Sequence, residues 1–327
     1  MMDEKETVKL FLDRGFQLSK DALPYVSENP EMILKNLNMV SPRPFIITSD
    51  HVKKILQKHE VPRVKIIKEI HPIHKSITVE EYFKDLLNVF EKIQNIISNN
   101  SLLDKLISIN KITEKTNEFS VIGMVKEKVG TSLILEDPTG QIQLYCNDDM
   151  KMKADDVDID DIVGVKCRRV DAKYYMMQIV FSEIPFQVDV KRSPKEFFLV
   201  FSLSDNLEIL KNYNSEATIT FSLPNDSNKL SFIDISGVKI IIIPKNSFKE
   251  EKKSDVLLKI LRKRIISKLA VTPSSYLFIE EVPHIILSNL TPTVYKNYKG
   301  TSIISNDDEN KVFVINLKTR EVVENII

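Results

Sequence analysis

The most informative run of the chain begins with Phe119-Ser-Val-Ile-Gly-Met-Val125 and Ser132-Leu-Ile-Leu135. The turn Glu136-Asp-Pro-Thr-Gly140 and the run Gln141-Ile-Gln-Leu-Tyr-Cys146 follow directly. Alternating apolar runs around a turn of Asp, Pro and Gly predict one strand followed by a β-hairpin. A glycine inside the first strand, Gly123, is typical of a strand that bends at the corner of a barrel.

Two further apolar runs extend this pattern, Ile162 to Arg168 and Tyr174 to Phe181, after an acidic connection at residues 155 to 161. Five short strands, with the bend glycine and the hairpin in the places that a small barrel needs, predict an OB fold. We assign this barrel to residues 106–190.

The segment before the barrel, residues 1–105, is predicted to be mostly helical. Thr78 with Glu81 three residues later forms a capping box, which predicts the start of a long helix. An apolar stripe at helical spacing follows, and it indicates either core or a surface that faces a partner. Its members are Tyr82, Phe83, Leu86, Leu87, Phe90, Ile93, Ile96 and Ile97.

The segment after the barrel, residues 191–327, alternates predicted strands and helices. The helices are Asp205 to Lys211 and Ser254 to Leu269. The strands are Glu196 to Ser202, Ala217 to Leu223, Phe232 to Ile235, Val238 to Pro244, Thr301 to Ser305 and Lys311 to Leu317. Alternation of this kind predicts an α/β layered domain. The whole chain is therefore expected to be a multidomain α+β protein.

Composition excludes several classes of protein. The 327 residues carry 46 basic and 46 acidic side chains, so no overall field draws the chain to nucleic acid, and we expect it to work beside a partner. Two cysteines without a CxxC pair exclude a zinc ribbon and a disulfide framework. Neither a Walker A sequence nor GxGxxG occurs. Without an apolar run of roughly 18 residues or a signal peptide, we expect a soluble, cytoplasmic protein with no membrane contact.

Several segments together resemble the small subunit of archaeal family D DNA polymerase. They are Asp13 to Leu18, Tyr82-Phe83, Val121 to Val125, Leu135 to Gly140, Val163 to Lys166, Tyr276 to Pro283 and Tyr298 to Ile304. The resemblance covers nearly the whole chain. It implies a helical N-terminal region, an OB fold and a calcineurin-like phosphoesterase sandwich at residues 191–327. It also implies a partner, the large catalytic subunit of that polymerase.

The phosphoesterase domain of this family binds two metal ions through D-x-H, G-D, G-N-H-D, a lone His and G-H-x-H. Two ions need several imidazole and carboxylate ligands that converge. The residues of this chain at the corresponding positions are Leu203, Asp205, Asn225, Asp226, Pro244, Leu290 and Pro292. Leucine and proline side chains carry no metal ligand. We therefore expect a reduced and inactivated domain with no catalytic residues.

The histidine count supports the same expectation. The chain has five histidines, and only His284 follows residue 191. One imidazole cannot replace four. Asp205, Asn225 and Asp226 could still hold one ion, but the loop and cap positions that such residues favour are the preferred interpretation. His71 and His74 are interpreted as part of a surface linker. We expect no metal and no cofactor in this chain.

Basic and aromatic residues in the barrel are candidates for nucleic-acid binding, because OB folds hold single strands in basic grooves with aromatic platforms. The candidates are Lys126, Lys128, Lys166, Arg168, Arg169 and Tyr174, with Lys151, Lys153, Tyr145 and Tyr175 beside them. The acidic run at residues 155 to 161 is expected to repel phosphate. Docking of the large subunit is therefore preferred over direct strand binding. The basic helix with Lys259, Arg262, Lys263, Arg264 and Lys268 could be a secondary DNA contact, but it is interpreted as a solvated face.

These observations favour a non-catalytic scaffold subunit in DNA replication that reaches DNA mainly through the polymerase complex. Two alternatives stay open. One is a residual metal-dependent 3′–5′ exonuclease, which needs ligands that the sequence lacks. The other is a free-standing single-stranded DNA-binding protein, for which an excess of basic charge would be expected.

Overall fold

The structure is a computed structural model that describes residues 3–28, 30–37, 44–58, 62–70, 78–130, 132–185, 190–204, 217–248, 255–267 and 276–326. Its helices are α1 Glu4–Asp13, α2 Leu23–Val26, α3 Pro30–Leu37, α4 Ser49–Lys58, α5 Val79–Ser98, α6 Lys151–Asp155 and α7 Val256–Lys263. Its first strands are β1 Gln17–Leu18, β2 Ile46–Ile47, β3 Val64–Ile70, β4 Glu118–Val129, β5 Ser132–Asp137, β6 Gly140–Tyr145, β7 Ile162–Val170 and β8 Lys173–Val180.

The remaining strands lie after the barrel. They are β9 Phe198–Ser202, β10 Thr218–Ser222, β11 Leu230–Ile235, β12 Val238–Ile243, β13 Ile265–Ser267, β14 Tyr276–Phe278, β15 Ile285–Ser288, β16 Val294–Tyr298, β17 Thr301–Ser305, β18 Lys311–Asn316 and β19 Val322–Ile326. The chain is therefore a mixed α+β protein, as the sequence predicts.

The barrel is closed, with the strand order β4-β5-β6-β8-β7 and β7 paired back to β4. This order, with the parallel contact of β6 and β8 at Tyr145 and Tyr175, confirms the prediction of an OB barrel. Gly123 permits the close approach of β5, since a Cβ there would lie 3.0 Å from the Glu136 carbonyl oxygen. In the hairpin turn the Asp137 carboxylate accepts hydrogen bonds from the backbone N–H groups of Thr139 and Gly140.

Helix α5 begins with the predicted capping box. The Thr78 hydroxyl accepts from the Glu81 backbone N–H, and the Glu81 carboxylate accepts from the Thr78 N–H. The C-terminal half of α5 is buried between the barrel and the β13–β14 hairpin, in a core with Ile122, Ile162 and Phe278. α5 therefore joins the barrel to the sheets that follow it in the chain.

Two sheets form a sandwich after the barrel. The four-stranded sheet has the order β10-β9-β18-β19, and the six-stranded sheet has the order β16-β17-β15-β12-β11-β3. Their facing residues share one apolar core, which includes Phe201, Ile240 and Phe313. The other face of the six-stranded sheet packs against α7 through Leu257 and Ile260. The six-stranded sheet is thus buried on both faces, as in other layered domains.

The sequence interpretation does not predict the strands β14, β15, β16 and β19, and it differs from the structure at β3 and at the end of α7. β3, from the segment predicted to be mostly helical, is an edge strand of the six-stranded sheet and pairs with β11. The helix predicted from Ser254 to Leu269 is too long. α7 ends at Lys263, Arg264 takes a left-handed conformation with φ +52°, and β13 begins at Ile265. The β-branched Ile265-Ile266 pair favours the strand. The predicted helix Asp205 to Lys211 lies outside the described residues.

Helices α1 to α4 enclose a separate small core of apolar side chains. Phe11, Ile33, Leu37 and Ile55 are buried in it, and the short parallel pair β1–β2 lies beside it. None of the helices in the described ranges combines the length and the apolar character needed to cross a membrane.

Candidate nucleic-acid interface

The predicted basic residues of the barrel lie in two separate places. β4 crosses the whole barrel, and it pairs with β7 from Glu118–Arg168 at one end to Met124–Ile162 towards the other. Arg168 and Arg169 therefore lie near the start of β4, whereas Lys126 and Lys128 lie near its end. A rise of about 3.3 Å per residue separates the two groups by more than 20 Å.

Lys126, Lys128 and Lys166 all bind groups of the protein itself. The Lys126 ammonium pairs with Glu136 at 3.4 Å. Lys128 donates to the carbonyl oxygens of Ala154 and Val157, at 3.0 and 2.6 Å. Lys166 pairs with Asp104 at 2.8 Å and lowers the pKa of that carboxyl. These contacts give each of the three lysines a structural partner.

An open cleft of about 660 Å³ lies at the other end of the barrel. Its lining residues are Lys105, Lys115, Thr116, Asn117, Glu118, Arg168 and Arg169. Arg168 binds Glu118 with two nitrogens, Nε at 2.9 Å and Nη2 at 2.8 Å. In the described part of the chain no carboxylate pairs with Lys105, Lys115 or Arg169. Within the described ranges these three cations thus have no ion-pair partner, although the charge of Lys105 helps to lower the pKa of the neighbouring Asp104.

The residues before β4 form one wall of this cleft. Lys105 takes a left-handed conformation with φ +50°, and its carbonyl oxygen accepts from the Ser120 N–H. The Asn117 carbonyl oxygen accepts from the Arg169 N–H at 2.8 Å. The chain thus folds back along the first barrel strand and brings Lys105 and Lys115 to the end of β7.

A row of outward-facing side chains runs from the cleft across four strands. Strand pairing places Glu118 beside Arg168, Arg168 beside Tyr175, and Tyr175 beside Tyr145. The two tyrosine rings lie 5.9 Å apart with an angle of 42° between their planes. The Lys173 ammonium lies 5.1 Å from the centre of the Tyr145 ring. Exposed aromatic faces next to cations are the elements that OB folds use to stack bases.

Tyr174, the predicted aromatic candidate, packs differently from Tyr175. Its ring meets Phe119 edge to face, with the centres 5.2 Å apart, and its hydroxyl donates to the Thr113 carbonyl oxygen at 3.4 Å. Phe119 belongs to the barrel core, and Tyr174 packs against the same core. The ring of Tyr174 thus covers the end of the barrel.

The acidic run of the barrel binds the basic helix α7. Asp156 accepts from Arg262 at 3.0 Å, and Asp158 accepts from Lys259 at 3.2 Å and from Lys263 at 2.6 Å. These partners neutralise Asp156 and Asp158, which lie away from the cleft. The interpretation of α7 as a solvated face is therefore wrong.

Asp161 is the most deeply buried carboxyl of this joint. Its Oδ2 lies 2.6 Å from the Lys263 ammonium and accepts from the Asp158 N–H at the same distance. Burial raises the pKa of Asp161 to about 6, although Lys263 opposes the shift. Burial alone would also raise the pKa of Asp158, but Lys263 and Lys259 outweigh it and lower that pKa.

The positions aligned with phosphoesterase ligands lie in the core or in turns. Leu203 is buried in the sandwich core, and Leu290 packs against the core below α7. Asn225 donates to Glu309 at 2.8 Å and accepts from Lys245 at 3.1 Å. Of the four other positions, Pro244 precedes a short 3-10 helix, Asp226 and Pro292 are exposed, and Asp205 lies outside the described residues.

Histidine has a structural role at its one described position in the sandwich. His284 is buried, and its Nδ1 accepts from the Lys239 N–H at 2.8 Å. Burial, with Arg320 nearby, lowers the pKa of His284 to about 4, so the ring is neutral at pH 7. Within the described ranges no group of three His, Cys, Asp or Glu side chains is placed to hold a metal ion. His71 and His74 lie outside those ranges.

Two cleft residues escaped the sequence interpretation. Lys105 and Lys115 precede the first barrel strand and stand in no local pattern with Arg169. Only the fold-back of residues 105–117 onto β4 and β7 brings these side chains to one place. A local sequence signal for this set of residues does not exist.

No protein-family model matches the chain, and no curated protein sequence matches it. Among solved structures, the Stn1–Ten1 complex of S. pombe is 22% identical, covering 25% of this chain and 78% of that one, with a TM-score of 0.20. The telomere capping protein Ten1 from Saccharomyces pombe is 20% identical over 23% of this chain and 77% of that one, with a TM-score of 0.19. The OB domain of Ta0387 from Thermoplasma acidophilum is 17% identical over 26% and 96%, with a TM-score of 0.18. The OB assignment rests on the closure and order of the five strands.

Proposed function

We propose that the chain is a non-catalytic small subunit of a family D DNA polymerase that scaffolds the large catalytic subunit in DNA replication. The observation that carries the proposal is the state of the sandwich, interpreted as a calcineurin-like phosphoesterase domain that has lost its metal site. Leu203 is buried in the core and Leu290 packs, partly buried, against it, where the resemblance expects ligands. The side chain of Asn225 is already hydrogen-bonded to Lys245 and Glu309.

The connection between barrel and sandwich supports a scaffold. α5 packs on the barrel strands and on the β13–β14 hairpin in one apolar core. The ion pairs of α7 with Asp156, Asp158 and Asp161 form a second connection. Two connections of different kinds restrain rotation between the two parts. A partner can therefore bind both as one surface, which lowers the entropic cost of assembly.

Co-expression with a family D large subunit tests this proposal. The complex is purified by size-exclusion chromatography and assayed for primer extension and for Mn²⁺-dependent 3′–5′ exonuclease activity on a mismatched primer. We expect a stable complex that extends primers and does not remove 3′ ends. A chain that stays alone would contradict the scaffold. Removal of 3′ ends by this chain would favour the alternative of a residual exonuclease.

A second candidate function is direct binding of single-stranded DNA, and the basic cleft favours it. Lys105, Lys115 and Arg169 have no carboxylate partner in the described ranges, and the Tyr145–Tyr175 pair lies along the row that starts in the cleft. Cations beside aromatic rings on which bases can stack fit a phosphate backbone and its bases. The net charge of zero does not exclude such a site, because part of the acidic charge, that of Asp156, Asp158 and Asp161, is paired with α7.

Fluorescence anisotropy with a labelled oligo(dT) tests the cleft. In the Lys115→Glu/Arg169→Glu variant we expect the affinity to fall at least ~10-fold at low salt, with a shallower salt dependence by about 0.7 per lost phosphate contact. The matched control is Lys296→Glu/Lys318→Glu, two exposed lysines of the sandwich. Equal loss in both variants would indicate a general charge effect and contradict a site in the cleft.

A further inference from the structure

The N-terminal half of α5 exposes an apolar stripe. Val79, Phe83 and Leu87, four residues apart, are 72%, 55% and 44% exposed. The same helix buries Phe90 and Ile97 almost completely in its C-terminal half. Three large apolar side chains on one exposed helical face are typical of a surface that faces a partner. We call Val79, Phe83 and Leu87 the α5 stripe.

The α5 stripe continues an interface that already exists. Leu86 is half-buried against the core that α5 forms with the barrel and the β13–β14 hairpin, and Phe90 follows one turn later. An apolar surface therefore runs without interruption from the buried contact to the exposed half of α5. A second helix laid along this half would extend the same packing.

The charges around the α5 stripe indicate which kind of partner helix could bind there. Residues 79–91 carry four carboxylates, Glu80, Glu81, Asp85 and Glu91, against one ammonium, that of Lys84. At ~100° per residue Glu80, Glu91 and Lys84 lie on the solvent side of the stripe, so this border carries two carboxylates and one ammonium. Like charges would oppose pairing with a second copy of this chain or with an anionic surface. Lys or Arg side chains beside an apolar face would complement the border.

We propose that the α5 stripe docks a basic amphipathic helix of the partner protein, with apolar residues at i, i+3 or i+4, and i+7. This inference rests on the proposed function in one respect, since it names the large polymerase subunit as the source of that helix. The stripe spans only about 12 Å of helix, at 1.5 Å per residue. It is therefore an anchor within a larger interface, because a standard interface buries about 800 Å² per partner.

The first test measures the affinity of the immobilised full chain for the large subunit. We expect Phe83→Asp and Leu87→Asp each to weaken binding at least ~10-fold, as for anchor residues in other interfaces. The matched control is Phe45→Asp, since Phe45 is 66% exposed in the N-terminal helical unit. Circular dichroism checks that the variants keep the wild-type fold. Unchanged affinity of both variants would overturn the inference and leave the proposed function standing.

The second test does not depend on the large subunit. A fluorescent 16-residue helical peptide with a Leu stripe bordered by Lys is titrated with the wild-type chain, Phe83→Asp and Glu91→Lys. We expect binding to the wild type, loss with Phe83→Asp, and weaker binding with Glu91→Lys that becomes similar to the wild type at high salt. Equal binding by all three would overturn the inference. Wild-type dimers that Phe83→Asp abolishes in analytical ultracentrifugation would also overturn it, in favour of a second copy.

The two tests separate the two proposals. Peptide binding at the α5 stripe without any complex with the large subunit would contradict the proposed function, and the docking chemistry would stand. A complex whose affinity is unchanged in the α5-stripe variants, together with no binding of the peptide, would contradict only the proposed docking of a basic helix.

Discussion

The Lys263 ammonium lies 2.6 Å from the Asp161 carboxylate, and this contact joins α7 of the sandwich to the residue before β7 of the barrel. Only 12% of the Lys263 side chain and 10% of the Asp161 side chain are exposed. A buried ion pair of this kind loses solvation on both sides, so its value lies in fixing one arrangement of the two parts as much as in stability.

Replacement of Asp161 is expected to change how stability depends on pH. The pKa of Asp161 is about 6 in the folded chain and near 3.8 when unfolded, so the folded state holds the proton more tightly. The contribution of the Asp161 carboxyl to the free energy of unfolding is therefore fully present below about pH 4 and is lost as the pH rises to about 6. Chemical denaturation should show the wild type losing up to ~3 kcal/mol relative to Asp161→Asn across this window.

The control for this prediction is Asp149→Asn, which removes an exposed carboxylate of the same barrel. That variant should follow the wild-type pH profile. A constant difference between wild type and Asp161→Asn from pH 4 to pH 7 would contradict the raised pKa.

Packing of α5 on the barrel is expected to depend on Gly164. A Cβ at this position would lie 2.6 Å from the Ile97 Cγ2 and would also clash with the Leu103 side chain. Gly164→Ala should therefore lower the free energy of unfolding by about 1–3 kcal/mol. Gly140→Ala is the matched control, because the nearest atom to its Cβ would be 3.4 Å away. Equal stability of the two variants in urea denaturation would argue against this packing.

The two neighbouring tyrosines of β8 are expected to differ in their effects. Tyr175→Ala should weaken oligo(dT) binding about 5- to 150-fold, since stacking contributes about 1–3 kcal/mol per base, and should leave the melting temperature nearly unchanged. Tyr174→Ala should lower the melting temperature, because it uncovers Phe119. Anisotropy and thermal denaturation of both variants measure this difference. The opposite assignment of the two effects would disprove the stacking role of Tyr175.

Addition of Mn²⁺ is expected to leave the thermal stability of the chain unchanged. A bound ion would raise the melting temperature in proportion to the logarithm of its concentration. The oxygen of the Asn225 side chain is already bound by Lys245. A Mn²⁺-dependent increase that Asn225→Ala or Asp226→Ala removes would show that one ion is retained at the sandwich.

The barrel was predictable because its signals are local. The bend at Gly123, the Asp137-Pro138-Thr139-Gly140 turn and the alternation along β4 to β6 all act between neighbours in sequence, and the capping box of Thr78 and Glu81 does so too. β3 was missed since its partner β11 lies far along the chain. Its sequence Val64-Lys-Ile-Ile-Lys-Glu-Ile70 has no regular alternation, consistent with the register shift in its pairing.

The charged groups were the least predictable part of the site. In the sequence, the acidic run 155–161 and the basic helix α7 are two separate clusters, and each was interpreted without the other. Only the packing of the sandwich on the barrel pairs Asp158 with Lys259 and Lys263. Pairing between distant segments depends on tertiary structure, which short-range patterns do not encode.

Acidic residues of the run 155–161 pair with α7. The net charge of the whole chain therefore does not determine the electrostatic potential near the cleft. Screening in physiological salt limits each exposed charge to a range of about 8 Å. An approaching strand therefore does not sense the zero sum of the whole molecule. At the cleft it meets four lining cations, Lys105, Lys115, Arg168 and Arg169, against one lining carboxylate, Glu118. Salt titration of association rates should accordingly show attraction in an electrically neutral protein.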